Sequence, residues 1–245
     1  MLRLGVLTPS SNTVLEPLTG WLAEPLASLL EVHFTRVRVT AIADVPASRE
    51  QFSPNAMVDA ARLLADARVD ELLWGGTSGA WEGIQADRDI VAAIGEATGI
   101  PATTATLSLL AALHGLGVRR YALVVPYVEP IADAIVANLD REGYACVARA
   151  FESITVNWDF SAIPPAQIGE RVRTVARSDP DAIVVHCTNL RGAEVAGPLE
   201  QELGIPVLDS VVVGLWGALR ALDLAVPARF GRLSWLSGSA GQPGV

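Results

Sequence analysis

The chain carries the same strand ending twice, and that duplication restricts its fold more than any other feature. Val69-Asp70-Glu71-Leu72-Leu73-Trp74-Gly75-Gly76-Thr77-Ser78 aligns with Pro180-Asp181-Ala182-Ile183-Val184-Val185-His186-Cys187-Thr188-Asn189 at one constant offset. Gly76 therefore stands where the second copy has Cys187. Shorter echoes flank the pair. Arg3-Leu4-Gly5-Val6-Leu7-Thr8-Pro9 resembles Arg120-Tyr121-Ala122-Leu123-Val124-Val125-Pro126, Gly99-Ile100-Pro101 returns as Gly204-Ile205-Pro206, and Ala112-Leu113-His114 returns as Ala218-Leu219-Arg220. Repeats this long imply two similar half-domains rather than a solenoid. Each apolar run bounded by polar and glycine residues reads as a buried parallel strand. In open α/β sheets ligands sit just beyond such strand ends, which places Cys187 as the reactive group.

Composition narrows the chemistry. The 245 residues, 51% of them hydrophobic, suffice for one large core or two modest ones. The net charge of −9 without a basic cluster argues against a nucleic-acid partner. Every basic residue other than histidine is arginine. Schiff-base, pyridoxal-lysine and Walker-loop chemistry all need an ε-amino group and are excluded. The amino terminus enters a strand directly and shows neither a signal-peptide pattern nor a membrane span, so a cytoplasmic protein without a membrane partner is expected. Two cysteines make no disulfide framework, and His33, His114 and His186 are too scattered for a zinc set; no metal or cofactor is expected.

The first strand, over 4–7, stops at Thr8-Pro9-Ser10-Ser11-Asn12-Thr13, a turn that caps a helix beginning near Val14 and offers an anion site at its amino terminus. A strand over 32–39 follows, then a long loop over 41–54 able to lie over a ligand. Helices are expected over 56–67, 84–98 and 107–116, with a short strand opened by Pro101. The second half repeats the order: a strand over 121–125, Pro126-Tyr127, a helix over 131–142, a strand over 144–151 holding an unreactive Cys146, an irregular stretch over 154–165 and a helix over 167–177. A helix within 208–222 packs back across the halves. The half-domains are set at 1–117 with 208–236, and 118–207, leaving 237–245 as a frayed tail. His186 rivals Cys187 as a base, but neighbours on a strand point to opposite faces. Phe52, Trp74, Trp81 and Trp158 are equally suited to an aromatic pocket and to the core.

Taken in order, Leu7-Thr8-Pro9-Ser10-Ser11-Asn12-Thr13, Gly76-Thr77-Ser78-Gly79, Thr98-Gly99-Ile100-Pro101, Gly117-Val118-Arg119-Arg120, Val125-Pro126-Tyr127 and Cys187 resemble the aspartate/glutamate racemase superfamily. The resemblance is strongest to its branch of arylmalonate decarboxylase and maleate cis-trans isomerase. It implies an α/β fold of two pseudo-symmetric, Rossmann-like half-domains, each a four-stranded parallel sheet flanked by helices, with a cofactor-free active site between them. It also implies a small mono- or dicarboxylate substrate and leaves room for a homo-oligomer.

Members of that superfamily typically set one cysteine from each half against the other. Here only Cys187 remains, as in the decarboxylase, which has glycine first and cysteine second. Loss of carbon dioxide from a malonate-type acid gives an enediolate, which needs donors for its charge and one acid to protonate carbon. Carried over from the resemblance, those donors are Thr77, Ser78, Tyr127 and the backbone at Thr188, and the proton donor is Cys187, its pKa brought down from about 8.5 by the strand-to-helix turn. Pro9, Ser10, Asn12, Gly76 and Asn157 complete the expected substrate site. Ser10-Ser11-Asn12 and Asn157 look more like the isomerase, so a single-cysteine isomerase or racemase-type enzyme stands as the alternative, and a non-catalytic carboxylate binder as a third reading. If restoring the absent thiol by Gly76→Cys creates racemase activity, the two half-sites face one another.

Overall fold

A computed structural model describes residues 1–42 and 50–236, so half of the long loop expected over 41–54, and the tail over 237–245, lie outside the described residues. The first half contains strands β1 (Leu2–Pro9), β2 (Leu30–Val37), β3 (Glu71–Trp74) and β4 (Ala102–Thr104). The second contains β5 (Arg120–Val125), β6 (Ala145–Phe151), β7 (Ala182–Val185) and β8 (Val207–Asp209). All pairings within the two sheets are parallel, and both sheets share one order, β2-β1-β3-β4 and β6-β5-β7-β8. The expected pair of four-stranded parallel sheets is what the chain forms.

The repeat has a physical basis in each motif. β3 and β7 are buried along their whole length, which explains their unbroken apolar character. Asp70 accepts from the Arg3 N–H at 2.7 Å, and Asp181 accepts from those of Arg119 and Arg120 at 2.9 and 2.8 Å, so each aspartate pins the start of its central strand. The backbone donors beside it hold the Asp181 carboxyl below its ordinary range. Gly99 ends helix α4 (Ile84–Thr98) and Gly204 ends helix α8 (Ala193–Leu203), both at φ 70°, a left-handed cap that glycine adopts without strain. The next residues run into the last strand of each sheet, where Leu72 N–H donates to Pro101 at 2.9 Å and Ile183 N–H to Pro206 at 2.8 Å.

The remaining helices are α1 (Leu15–Ala23), α2 (Pro54–Ala65), α3 (Gly79–Glu82), α5 (Ala105–Gly115), α6 (Glu129–Arg141), α7 (Pro165–Ala176) and α9 (Ser210–Ala221). Several begin earlier than their apolar pattern suggests. α2 and α7 start on Pro54 and Pro165, whose fixed φ suits a first helical turn. Thr104 accepts from the Leu107 N–H at 3.0 Å and so starts α5 two residues ahead of the expected Leu107. β1 runs longer at both ends, from Leu2 to Pro9 instead of 4–7, and the second strand is shifted two residues earlier, to Leu30–Val37 instead of 32–39. The irregular stretch over 154–165 contains a 3-10 turn, Asn157–Ala162.

Helix α9, which follows the last strand of the second sheet, packs chiefly on α5, which follows the last strand of the first. A Cβ on Gly217 would stand 2.1 Å from Ser108 Oγ, so these helices approach as closely as glycine allows. α9 also packs on β3, β4 and α1 of the first half, which buries it nearly all round and explains its lack of a polar face. The carboxyl ends of β1, β3, β5 and β7 meet at the seam.

Candidate active site

Four turns at that seam supply the site. The first follows β1, where Asn12 Oδ1 accepts from the Val14 and Leu15 N–H groups at 2.8 Å each and orders the start of α1. The second, Gly75 to Ser78, leads from β3 into α3; the third is Pro126-Tyr127 after β5; the fourth is His186 to Asn189 after β7. Hydrogen bonds lace them across the halves. Asn12 Nδ2 donates to Thr188 Oγ1 at 3.1 Å, and Thr188 Oγ1 donates in turn to the Gly75 carbonyl at 2.7 Å. Thr13 N–H donates to Asn189 Oδ1 at 3.0 Å, and Thr77 Oγ1 pairs with Tyr127 Oη at 2.9 Å.

A clasp crosses the same seam from outside. Ala41 and Val156 form an antiparallel bridge, with Ile42 N–H on the Thr155 carbonyl at 3.0 Å and Asn157 N–H on the Thr40 carbonyl at 3.2 Å. Asn157 Nδ2 donates to Ser11 Oγ at 2.7 Å, while the Asn157 carbonyl accepts from Asn189 Nδ2 at 2.5 Å.

Between these turns lies a small pocket with about 20 Å³ open to the centre of a water molecule. Its polar side is made by Thr77, Ser78, Tyr127, Asn157, Cys187 and Thr188, with Gly76 beside them. Its apolar side is Pro9, Val39, Ile42 and Phe52. Eight of the ten residues expected at the site thus border one cavity. Ser10 and Asn12 do not: Ser10 Oγ accepts from the Val39 N–H at 3.1 Å and Asn12 is engaged as described, so both brace the walls. Val39, Ile42 and Phe52 do not form one pattern in the sequence: Val39 continues the alternation of β2, whereas Ile42 and Phe52 fall outside it.

Cys187 is 2% exposed, and the Asn189 N–H donates to its Sγ at 3.4 Å. The turn does aim amides at sulfur, as expected. Burial outweighs them and pushes the Cys187 thiol up to about 12, aided by nearby Asp209, although hydrogen bonds from Tyr127 and from the Asn189 and Leu190 amides pull the other way. The expected fall below 8.5 is therefore corrected: the resting group is a neutral thiol, because removing a thiolate from water outweighs the donors that greet it. Tyr127 is wholly buried and its hydroxyl, held well above its ordinary value by desolvation, stays protonated and able to donate. Thr77, Ser78 and Thr188 each direct a backbone N–H that no described acceptor takes, the usual condition of a helix-initiating turn. The arrangement is one acid surrounded by donors.

His186 does not join it. It does not line the cavity: its Nδ1 lies 3.4 Å from Ser210 Oγ, and burial pulls its pKa down to about 4 although the Thr77 backbone pulls the other way, leaving a neutral ring. Of the aromatic candidates, Phe52 lines the cavity, Trp74 and Trp81 are buried behind it, and Trp158 is 57% exposed. Cys146 Sγ faces the Ala148 carbonyl at 3.3 Å, remote from the other thiol's turn. Among the described residues no group of three His, Cys, Asp or Glu side chains is placed to hold a metal, and no helix is long and apolar enough to cross a membrane.

Known proteins share this architecture. A maleate isomerase of Nocardia farcinica is 29% identical over 231 residues, covering 91% of each chain. The arylmalonate decarboxylase of Bordetella bronchiseptica is 31% identical over 183 residues, covering 73% of this chain and 76% of that one. In structure, a cysteine-to-serine mutant of the Nocardia farcinica maleate cis-trans isomerase, holding a covalent succinylcysteine intermediate, superposes with a TM-score of 0.86 at 27% identity over 98% of this chain and 99% of that one. The model of the family described as arylmalonate decarboxylase matches residues 14–233. With its duplicated sheets and a match spanning nearly the whole fold, the chain belongs to the arylmalonate decarboxylase family, whose relatives are decarboxylases and isomerases.

Proposed function

We propose that the protein is a cofactor-independent decarboxylase of malonate-type acids bearing an apolar substituent, with Cys187 as the proton donor. The observation that carries this reading is the one-sided cavity: Cys187 is buried and borders it, whereas Gly76 on the other side offers no side chain, and burial, which raises the Cys187 pKa to about 12, suits the thiol to giving a proton. Loss of carbon dioxide breaks the bond between Cα and one carboxylate and leaves the electron pair in an enediolate on the other. The hydroxyls of Thr77, Ser78 and Tyr127 and the open amides at Thr77 and Thr188 surround that developing charge with donors. The Cys187 S–H then transfers its proton to Cα, and the thiolate, strongly basic in its buried setting, regains a proton from water. Pro9, Val39, Ile42 and Phe52 provide the wall for the substituent; a carboxylate against such a wall is poorly solvated and is relieved by leaving as neutral carbon dioxide.

Isomerisation of maleate is the second reading, favoured by the chain-long similarity to the Nocardia isomerase. Addition to a double bond needs a thiolate, which neither Gly76 nor a protonated Cys187 supplies. The residues that looked like the isomerase, Ser11 and Asn157, are bonded to each other in the clasp. Carbon dioxide release from an α-aryl-α-methylmalonate, lost in Cys187→Ala, supports decarboxylation; conversion of maleate to fumarate without such release supports the alternative, and full turnover by Cys187→Ala contradicts both. Ligand binding without turnover of any of these acids favours a binding protein. The net charge of −9, with no basic cluster, speaks against a nucleic-acid partner.

A further inference from the structure

The repeat has a second asymmetry beside glycine against cysteine. β3 and β7 occupy matching positions in their sheets, and Trp74 ends one where Val185 ends the other. Two residues beyond the valine stands Cys187, and two beyond the tryptophan stands Gly76. The geometry makes the pairing causal. A Cβ built on Gly76 would lie 2.2 Å from Trp74 Cζ2 and 2.4 Å from Cε2, closer than any real contact. Gly76 has no positive φ, so its backbone accepts a side chain, and the three atoms nearest that carbon all belong to the indole. The indole is itself fixed. It is fully buried, its Nε1 donates to Ser78 Oγ at 3.4 Å, and its ring lies against Phe52 at 6.5 Å between centroids.

We propose that the Trp74 side chain makes the site one-sided: it fills the space a second thiol would need in the first half and thereby confines protonation to the Cys187 face. This rests on the carbon-acid reading above and adds to it a specificity-determining residue. It also changes what a restored thiol does. Racemisation requires one thiolate to take the α-proton, the electron pair to enter the carboxylate as an enediolate, and a thiol opposite to return a proton to the other face, with no net gain or loss of atoms. Gly76→Cys alone cannot set up that pair, because its Cβ collides with the indole. Trp74 must shrink first.

The test has two arms. Gly76→Ala adds only the offending carbon and is placed in the wild-type and Trp74→Leu backgrounds, with the folding constant read from urea denaturation. Overpacking predicts a drop of about tenfold or more in the first background and little in the second; equal drops in both overturn the proposal, and this arm requires no turnover. In the second arm, Gly76→Cys and Trp74→Leu/Gly76→Cys are incubated in deuterated water with one enantiomer of an α-aryl carboxylic acid. Racemisation by the double variant and not the single one is expected. Racemisation at equal rates, or a folded double variant that decarboxylates without racemising, overturns the plug. If no variant or wild type decarboxylates, the proposed function fails while the stability cycle still decides the role of Trp74.

Discussion

Removing the hydroxyl pair of Thr77 and Tyr127, singly and together, separates what the pair does for the fold from what it does for the reaction. Both side chains are buried, at 5% and 0% exposure, and their oxygens meet at 2.9 Å. Tyr127→Phe keeps the ring against Phe160, 5.4 Å away, and leaves Thr77 Oγ1 without its partner; Thr77→Val does the converse with nearly unchanged shape. An orphaned buried hydroxyl costs about 1–3 kcal/mol, whereas replacing both partners by apolar groups of the same shape is close to neutral. Urea denaturation should therefore show each single variant less stable by about 1 kcal/mol or more and the double variant less destabilised than the sum. Turnover should behave differently. If the hydroxyls donate to an enediolate, each single variant loses roughly 10²- to 10³-fold in kcat, about 2.7–4 kcal/mol of barrier, and the double variant recovers none of it. A double variant that regains both stability and activity would refute the donor role and leave the pair purely structural.

Three further outcomes follow from the geometry. Cys187→Ala should fold, retain ligand binding and lose on the order of 10²- to 10⁴-fold in turnover, read as carbon dioxide release, because a general acid is removed from a site whose donors remain. The native thiol should react slowly with iodoacetamide near pH 7 and fully only after unfolding, since Cys187 is 2% exposed and its pKa is about 12. Asp87, fully buried under Gly79, has its pKa raised from 3.8 to about 6 by desolvation, so the folded state holds its proton where the unfolded chain releases it, and stability falls as pH rises from about 4 through about 6. Asp209 and Glu71, each at about 7, extend that fall toward pH 7, while neutral His186 opposes it below 6.5; Asp87→Asn should flatten the lower part of the curve in denaturation midpoints measured from pH 5 to pH 8.

Local patterns carried most of the fold. The apolar runs of β3 and β7 and the Gly-Ile-Pro stops are backbone requirements, so they read directly as strand and cap. Element starts were less legible because they depend on a single side chain, Thr104 for α5 or Pro54 for α2. At the site, the strand-end positions of Thr77, Tyr127 and Cys187 follow from the repeat. The Cys187 titration does not, because a local turn predicts donors and only the assembled seam determines how much water is excluded. Ser10 and Asn12 stand outside the cavity lining for a related reason: their side chains suit a ligand, but Val39 of the same half and Thr188 of the other engage them. Trp74 was legible in principle. Aligned against Val185, its bulk two residues before a glycine points to a filled half-site, although the glycine alone does not say what fills the space.

The stereochemical fate of the transferred hydrogen tests the central claim most directly. A prochiral α-aryl-α-methylmalonate turned over in deuterated water should release one carbon dioxide and give a monoacid with one deuterium at Cα, in a single enantiomer, with no further exchange on prolonged incubation. That is the signature of one buried thiol acting from one face. A racemic product from the wild-type protein, or continued exchange at Cα after decarboxylation, would show that a second acid reaches the opposite face and would contradict the account.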